Sequence, residues 1–321
     1  MQFTIQPSDF APVDEGLLYC FDAGENEPKD VQIAVIDADS ETVVGRKNLR
    51  HVKSGSIDIA PYVRRFDDTV PIRTKGSAMV EAPSGRYVVE ADGVRSQVLT
   101  VAGNRIRIGA KTSLTTMTRQ RKIALGERDE VRLFGVQGST FDVTIRTSGG
   151  DEIHPSHTTA SGAVVLCVDT SDFALGSRTA EVVMECDGRE IPSLCYTIVG
   201  RYGADLRLAW LSTAGTVERY TFPVVRSMTH NAVRRRIETE NGIGRTVACT
   251  TEQMLRLVSA YEPRAVAEAI AEIVASPQVW IEGRVVDSEV EVLSSSTTLY
   301  EFGRPDSVEV DLRVGREEVL R

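Results

Sequence analysis

Asp151-Glu-Ile-His154-Pro-Ser-His157 places two carboxylates and two imidazoles in one short stretch, the donor types that hold divalent metal ions. Their spacing matches neither a helical pair nor a fixed zinc-ligand pattern, and Pro155 among polar neighbours reads as a solvated hairpin loop. Asp37-Ala-Asp39-Ser-Glu41-Thr42 opens like a calcium loop. It lacks the glycine of that loop's sharp turn, and Asn48 stands where the closing bidentate carboxylate belongs, so it reads as a capped β-turn. There is no Gly-x-Ser-x-Gly elbow, and none of the four histidines (His51, His154, His157, His230) forms a diagnostic pattern with a cysteine. No glycine-rich loop follows a strand and opens a helix. With 46 acidic residues, neighbouring carboxylates occur everywhere and single out no glycosidase-type pair. The sequence predicts no catalytic residue, no metal ligand and no cofactor.

Arg234-Arg235-Arg236 is the densest basic run and supplies the interaction candidates, for an acidic partner surface or a phosphate. On strand geometry Arg234 and Arg236 share one face, while Arg235 joins Val233 and Ile237 on the other. Glu238 and Glu240 continue the Arg234 face and neutralise it, so the plain reading is one solvated face beside a partly buried one.

The bulk numbers narrow the classes further. A net charge of -9 argues against a dedicated nucleic-acid binder, and 6% aromatic residues are few for stacking platforms. The five cysteines (Cys20, Cys167, Cys186, Cys195, Cys249) are odd in number and scattered, and read as reduced, mostly buried side chains made in a reducing cytoplasm. The first residues show no basic n-region or apolar h-region, and no apolar run is long enough to span a bilayer. A chain of 321 residues exceeds what one core usually organises, which predicts two or three domains.

The elements that would position these residues are mostly strands. Residues 31–36 and 42–47 around Asp37-Ala-Asp-Ser40 predict a hairpin, and 56–63, 77–82, 85–91 and 96–101 continue at sandwich spacing. Gly103-Asn104 closes this first β-sandwich domain, 1–104. A second, 105–200, opens with Arg105-Ile-Arg-Ile-Gly109 and continues through strands at 121–125, 129–134, 140–145, 162–168, 180–186 and 193–199. Both are expected to be immunoglobulin-like.

The third segment, 201–321, predicts an α+β domain. Leu206, Leu208 and Trp210 share one parity of a strand, Tyr220 and Phe222 one parity of the next, and Ser212 to Gly215 supplies the turn. Residues 232–240 and 243–249 predict a hairpin around Asn241-Gly242. Residues 253–261 are ambiguous and lean to strand. Ala265, Val266, Ala269, Ile270, Ile273 and Val274 recur at helical spacing between Pro263 and Pro277, with Arg264, Glu268 and Glu272 opposite, which predicts one amphipathic helix near 263–275. Strands at 279–282, 284–293, 297–302 and 307–314 complete it. Both tryptophans, Trp210 and Trp280, are expected in its core.

Leu206-Arg-Leu-Ala-Trp-Leu with Gly215 and Tyr220-Thr-Phe222, then Glu262-Pro-Arg-Ala-Val-Ala-Glu-Ala-Ile and Ser276-Pro-Gln-Val-Trp280, resembles structural proteins encoded in prophage-like regions of gut anaerobes. Gly126-Glu-Arg-Asp-Glu-Val131 has a similar character, whereas Leu-Ser-Thr-Ala-Gly after Trp210 departs from the pattern by lacking an asparagine. The resemblance covers the last 120 residues or so and implies a non-enzymatic virion or tail-associated component of tandem β-domains. Such a subunit would assemble with other structural proteins or copies of itself, without nucleic acid or membrane. Two alternatives predict different sites: an adhesin or glycan-binding module needs an exposed aromatic cluster, and a hydrolase needs a deep pocket with carboxylates of unequal pKa.

Overall fold

The computed structural model describes residues 1–24, 27–63, 70–109, 112–201, 203, 205–238, 244–283, 288–297 and 307–320, the backbone alone at 237, 238, 244, 245, 247 and 316–320. The chain is mainly β. Lys29–Asp37 and Val43–Val52 form the expected antiparallel hairpin, joined by Gly85–Ala91, Val94–Arg95 and Leu99–Val101 into one sheet. A three-stranded sheet of Gln2–Ile5, Leu18–Asp22 and Ser54–Asp58 lies across a core that includes Tyr19, Phe21, Ile33, Val35, Ile57 and Val89. The alternation of strand Lys29–Asp37, which buries Val31, Ile33 and Val35, is what a half-covered sheet requires.

A four-stranded and a six-stranded sheet enclose the next core, containing Leu133, Phe141, Leu166, Val182 and Tyr196. Asp187-Gly188 turns strand Thr179–Cys186 into Arg189–Val199 with positive φ at both residues, the geometry that a two-residue hairpin loop favours. The run Ala163–Asp169 is apolar without alternation because both faces of its strand are covered. Val164, Leu166 and Val168 enter the sandwich core, while Ala163, Val165 and Cys167 pack with Phe10, Ala102 and Ala214.

Three expectations are corrected here. The strand expected over 56–63 ends at Asp58, and residues 60–63 form the helical turn Ala60–Val63, since Pro61 cannot donate to a ladder. Arg105 to Gly109 is not a strand: its backbone follows the surface, with Arg105 donating to the Ala214 carbonyl at 2.9 Å. The strand Ala78–Glu81, assigned by sequence to the first sandwich, pairs instead with Ala163–Asp169 in the second (Met79 opposite Leu166). Its alternation shows which face is apolar and carries no information about which sheet edge receives it. Gln120–Ala124 pairs with Arg189–Val199 in parallel, although neighbouring pairings are antiparallel.

Glu81 anchors the crossing strand. Its carboxylate accepts from the Ser161 amide at 2.7 Å and the Thr159 hydroxyl at 2.8 Å, and lies 2.9 Å from His157 Nε2. Burial opposes ionisation, but hydrogen bonds from Ser161, His157 and Thr159 outweigh it and bring the carboxyl down to about 2. The stabilisation is therefore complete above the unfolded value of 4.5 and is lost as pH falls towards about 2. Wild type is expected to lose more stability than Glu81→Gln across that window. Denaturant midpoints measured at its two ends test this, and equal losses would refute it.

The remaining strands build one seven-stranded sheet. Its order is Val217–Phe222, Leu206–Leu211, Val279–Ile281, Ser288–Val292, Glu309–Leu320, Gly244–Val258 and Val224–Glu238. The helix Arg264–Ala271, continued by a 3-10 turn over Glu272–Ala275, lays Ala267, Ile270 and Ile273 on the face formed by Leu208, Trp210, Tyr220 and Phe222. Trp280 is buried on the opposite face with Ala209, Leu211 and Val217. Residues 253–258 are strand. The expected strand at 297–302, the first four residues of the one at 284–293 and the Asn241-Gly242 turn fall largely or wholly outside the described residues.

Candidate interaction surface

Val224–Glu238 and Gly244–Val258 run antiparallel from Val224 opposite Val258 to Glu238 opposite Gly244, far beyond the short hairpin read from the sequence. Each strand has 15 residues, about 50 Å at strand rise. Val224–Glu238 ends the sheet order, so one of its edges carries unpaired backbone donors and acceptors. Every residue from Arg226 to Arg236 is exposed, which places both faces of this strand in solvent. Met228 is 57% and Val233 72% exposed, so the strand offers apolar contacts as well as an open edge. Arg234, Arg235 and Arg236 all lie on it and form no ion pair with a described residue. The expected neutralisation by Glu238 and Glu240 concerns side chains outside those described.

A rigid base holds this projection. The strand Arg128–Phe134 packs against the aromatic hairpin, and its charges are buried there. Arg207 meets Glu127 at 3.2 Å and Glu282 at 2.9 Å, Arg219 meets Glu130 at 3.2 Å, and Arg128 meets Glu282 at 3.3 Å. Arg121 bonds Asp129 at 2.6 Å and lies 3.5 Å from Glu218, while the Tyr196 hydroxyl donates to Asp129 at 2.9 Å. Burial favours protonation of Asp129, but Arg121 and Arg207 hold it below the usual carboxylate range. Burial pushes Glu218 up, against the pull of Arg121 and hydrogen bonds from Thr216 and Thr116.

Two carboxylates shifted in opposite directions are also what a hydrolase would arrange. Here they do not share a cavity. Asp129 lines a space of about 180 Å³ with Arg121, Arg207 and Arg219. Glu218 is fully buried, and its oxygens are taken by Thr115, Thr116, Thr216 and Arg121. A larger space of about 510 Å³ lies beside Glu127, Arg128, Asp169, Arg201, Asp205 and Glu282, where Arg128 and Glu127 are already engaged in ion pairs. The arrangement is a salt-bridged seam between sheets.

The loop histidines do other work. His157 serves the Glu81 cradle, His154 Nδ1 lies 3.3 Å from the Thr144 hydroxyl, and Asp151 caps the Ala174 amide at 2.5 Å. The Asp37 loop is the capped turn expected, its carboxylate accepting from the Asp39 and Ser40 amides at 2.9 Å. Among the described residues no cluster of metal-ligating side chains is assembled, and no helix is long and apolar enough to cross a membrane. Cys167 and Cys186 are buried, Cys20 and Cys249 half-buried, and Cys195 is exposed. Sequence reasoning missed the buried charges of Arg128–Phe134. The available signal was the run Glu127-Arg-Asp-Glu inside a strand that ends in Leu133-Phe134.

The fold and surface thus define a multi-sheet β-protein with a projecting hairpin. No protein-family model matches the chain, and no curated protein matches it in sequence. Among solved structures it is similar to the chicken interferon gamma receptor alpha chain (10% identity, TM-score 0.19, 61% of this chain and 97% of that one). It is also similar to the FN1-FN3 domains of chicken CNTN1 (8%, 0.20, 79% and 91%) and to a tetra-tandem repeat from the extending region of a large adhesion protein (11%, 0.21, 98% and 88%). Likeness at these values carries no argument about function.

Proposed function

We propose that the chain is a non-catalytic interaction subunit that binds by adding an extended partner segment to the open edge of Val224–Glu238. The observation that carries this is a 15-residue outer strand exposed on both faces from Arg226 to Arg236. Gly244–Val258 is paired on its other side with Glu309–Leu320, which leaves Val224–Glu238 as the open outer strand, and soluble proteins blunt long open edges unless they use them. The element would serve equally as an assembly contact in a phage-like virion or tail, the setting the sequence resemblance implies, or as an adhesin contact. A glycan platform is less well supported, because Trp210 and Trp280 are both buried.

Binding of the neutral strand-forming peptide (Ser-Val)5, followed by fluorescence anisotropy, tests strand addition. Adjacent residues of an outer strand direct their amides alternately inwards and outwards, so one of Thr229→Pro and His230→Pro removes an outward donor and leaves the ladder intact. The variant that keeps the wild-type melting temperature is expected to lose the peptide. Unimpaired binding by it, or a glycan-panel ligand with no peptide binding, would sink the reading.

A further inference from the structure

We infer that the segment received by the outer strand is acidic and belongs to a different protein. This deepens the strand-addition reading and rests on it. Elsewhere in the same sheet arginines are neutralised across strands: Arg226 by Glu309, Arg256 by Asp311 at 2.7 Å, and Arg313 by Glu291. Only further out do Arg234, Arg235 and Arg236 stand exposed without an ion pair to a described residue. Consecutive residues alternate across the pleat, so a strand laid along this edge meets cations on both of its faces. Carboxylates on the incoming strand satisfy them, whereas like charges opposite one another destabilise pairing.

Among the described residues, the outer strands of a second copy offer no unengaged carboxylate. Carboxylates on the other outer strands are already engaged. Asp58 accepts from the Leu17 and Ala60 amides, Glu81 sits in its cradle, Glu152 pairs with Arg146, and Glu218 is buried. The long outer strand Val43–Val52 is itself basic, exposing Arg46, Lys47 and Arg50. The described side chains of Val224–Glu238, residues 224–236, include no carboxylate, so pairing two copies there brings arginines opposite arginines or neutral residues. A polypeptide also fits this edge better than a nucleic acid, because the open ladder offers amides and carbonyls in strand register and Val224–Glu238 contains no Phe, Tyr or Trp for base stacking.

Affinities of (Glu-Val)5, (Ser-Val)5 and (Lys-Val)5 for the full chain, at low salt and in 1 M NaCl, test the inference. Three exposed ion pairs predict a preference of roughly tenfold for the acidic over the neutral peptide, collapsing at high salt. The triple variant Arg234→Gln, Arg235→Gln, Arg236→Gln is expected to bind both peptides equally. Arg46→Gln with Lys47→Gln and Arg50→Gln should leave the preference intact, and losing it there would overturn the assignment to Val224–Glu238. Equal affinity of wild type for acidic and neutral peptides, both abolished by the edge proline, would overturn the acidic partner and leave strand addition standing. Failure of every peptide to bind would remove both. A concentration-dependent dimer in light scattering, abolished by the edge proline, would overturn the different-protein partner in favour of a second copy.

Discussion

Arg121→Ala is expected to lower the thermal midpoint by roughly 10 °C, the largest effect of any single charge removal in the molecule. Arg121 is buried, and its guanidinium is shared between Asp129, Glu218 and the Thr115 hydroxyl. Its loss leaves Asp129 with the Tyr196 hydroxyl and the more distant Arg207 and Arg219, and leaves Glu218 without a nearby cation. Breaking a buried pair from one side costs about 3–5 kcal/mol, because the stranded carboxylates stay out of water. Replacing the whole constellation with apolar side chains (Arg121→Met, Asp129→Leu, Glu218→Met) should recover much of the loss, since desolvation of all three charges disappears with them. Calorimetry on the three proteins decides it. An Arg121→Ala midpoint within about 2 °C of wild type would show that the seam contributes little.

Gly215→Val is expected to detach the loop of the aromatic hairpin from the body. Gly215 has a φ of +84°, a conformation that a β-branched residue strongly resists, and an added Cβ would collide with the Gly103 carbonyl oxygen. The neighbour cannot yield cheaply. Asn104 is fully buried and donates from Nδ2 to the Phe10 and Ile106 carbonyls at 2.6 and 3.0 Å, and Arg105 donates its amide to Ala214. Backbone strain of about 1–3 kcal/mol adds to the lost hydrogen bonds, so a loss on the order of 3 kcal/mol or more follows. Faster tryptic cleavage at Arg105 and Arg107 should accompany it, because the backbone there is held by the displaced loop. Wild-type cleavage rates together with an unchanged midpoint would refute the docking role assigned to this glycine.

Much of the third sheet was legible in the residues. Leu208, Trp210, Tyr220 and Phe222 fall on one face by parity, and Ala269, Ile270 and Ile273 fall on one helical stripe; the structure joins those two surfaces, adding Ala267 and leaving Ala265 of the expected stripe exposed. The opposite face carries no such signal. Arg207 and Arg219 alternate with apolar residues as solvent-facing positions would, yet both are buried against Glu127 and Glu130. Periodicity reports which residues share a side and is silent on what lies over that side. The hairpin was visible in kind and underestimated in length, because its exposed residues have no apolar alternation to mark them.

The sequence by itself determined the β character, the turns at Asp37 and Asp187-Gly188, the helix after Pro263 and the three consecutive arginines, all of which follow from the conformational preferences of neighbouring residues. The tertiary structure decided that Ala78–Glu81 crosses into another sheet, that a strand of charges lies buried in a seam, and that Arg234 to Arg236 stand on an open edge. Each of these depends on partners far away along the chain, as with Arg121 and Glu218, 97 residues apart. Burial and pairing are properties of such encounters, which a local pattern does not encode.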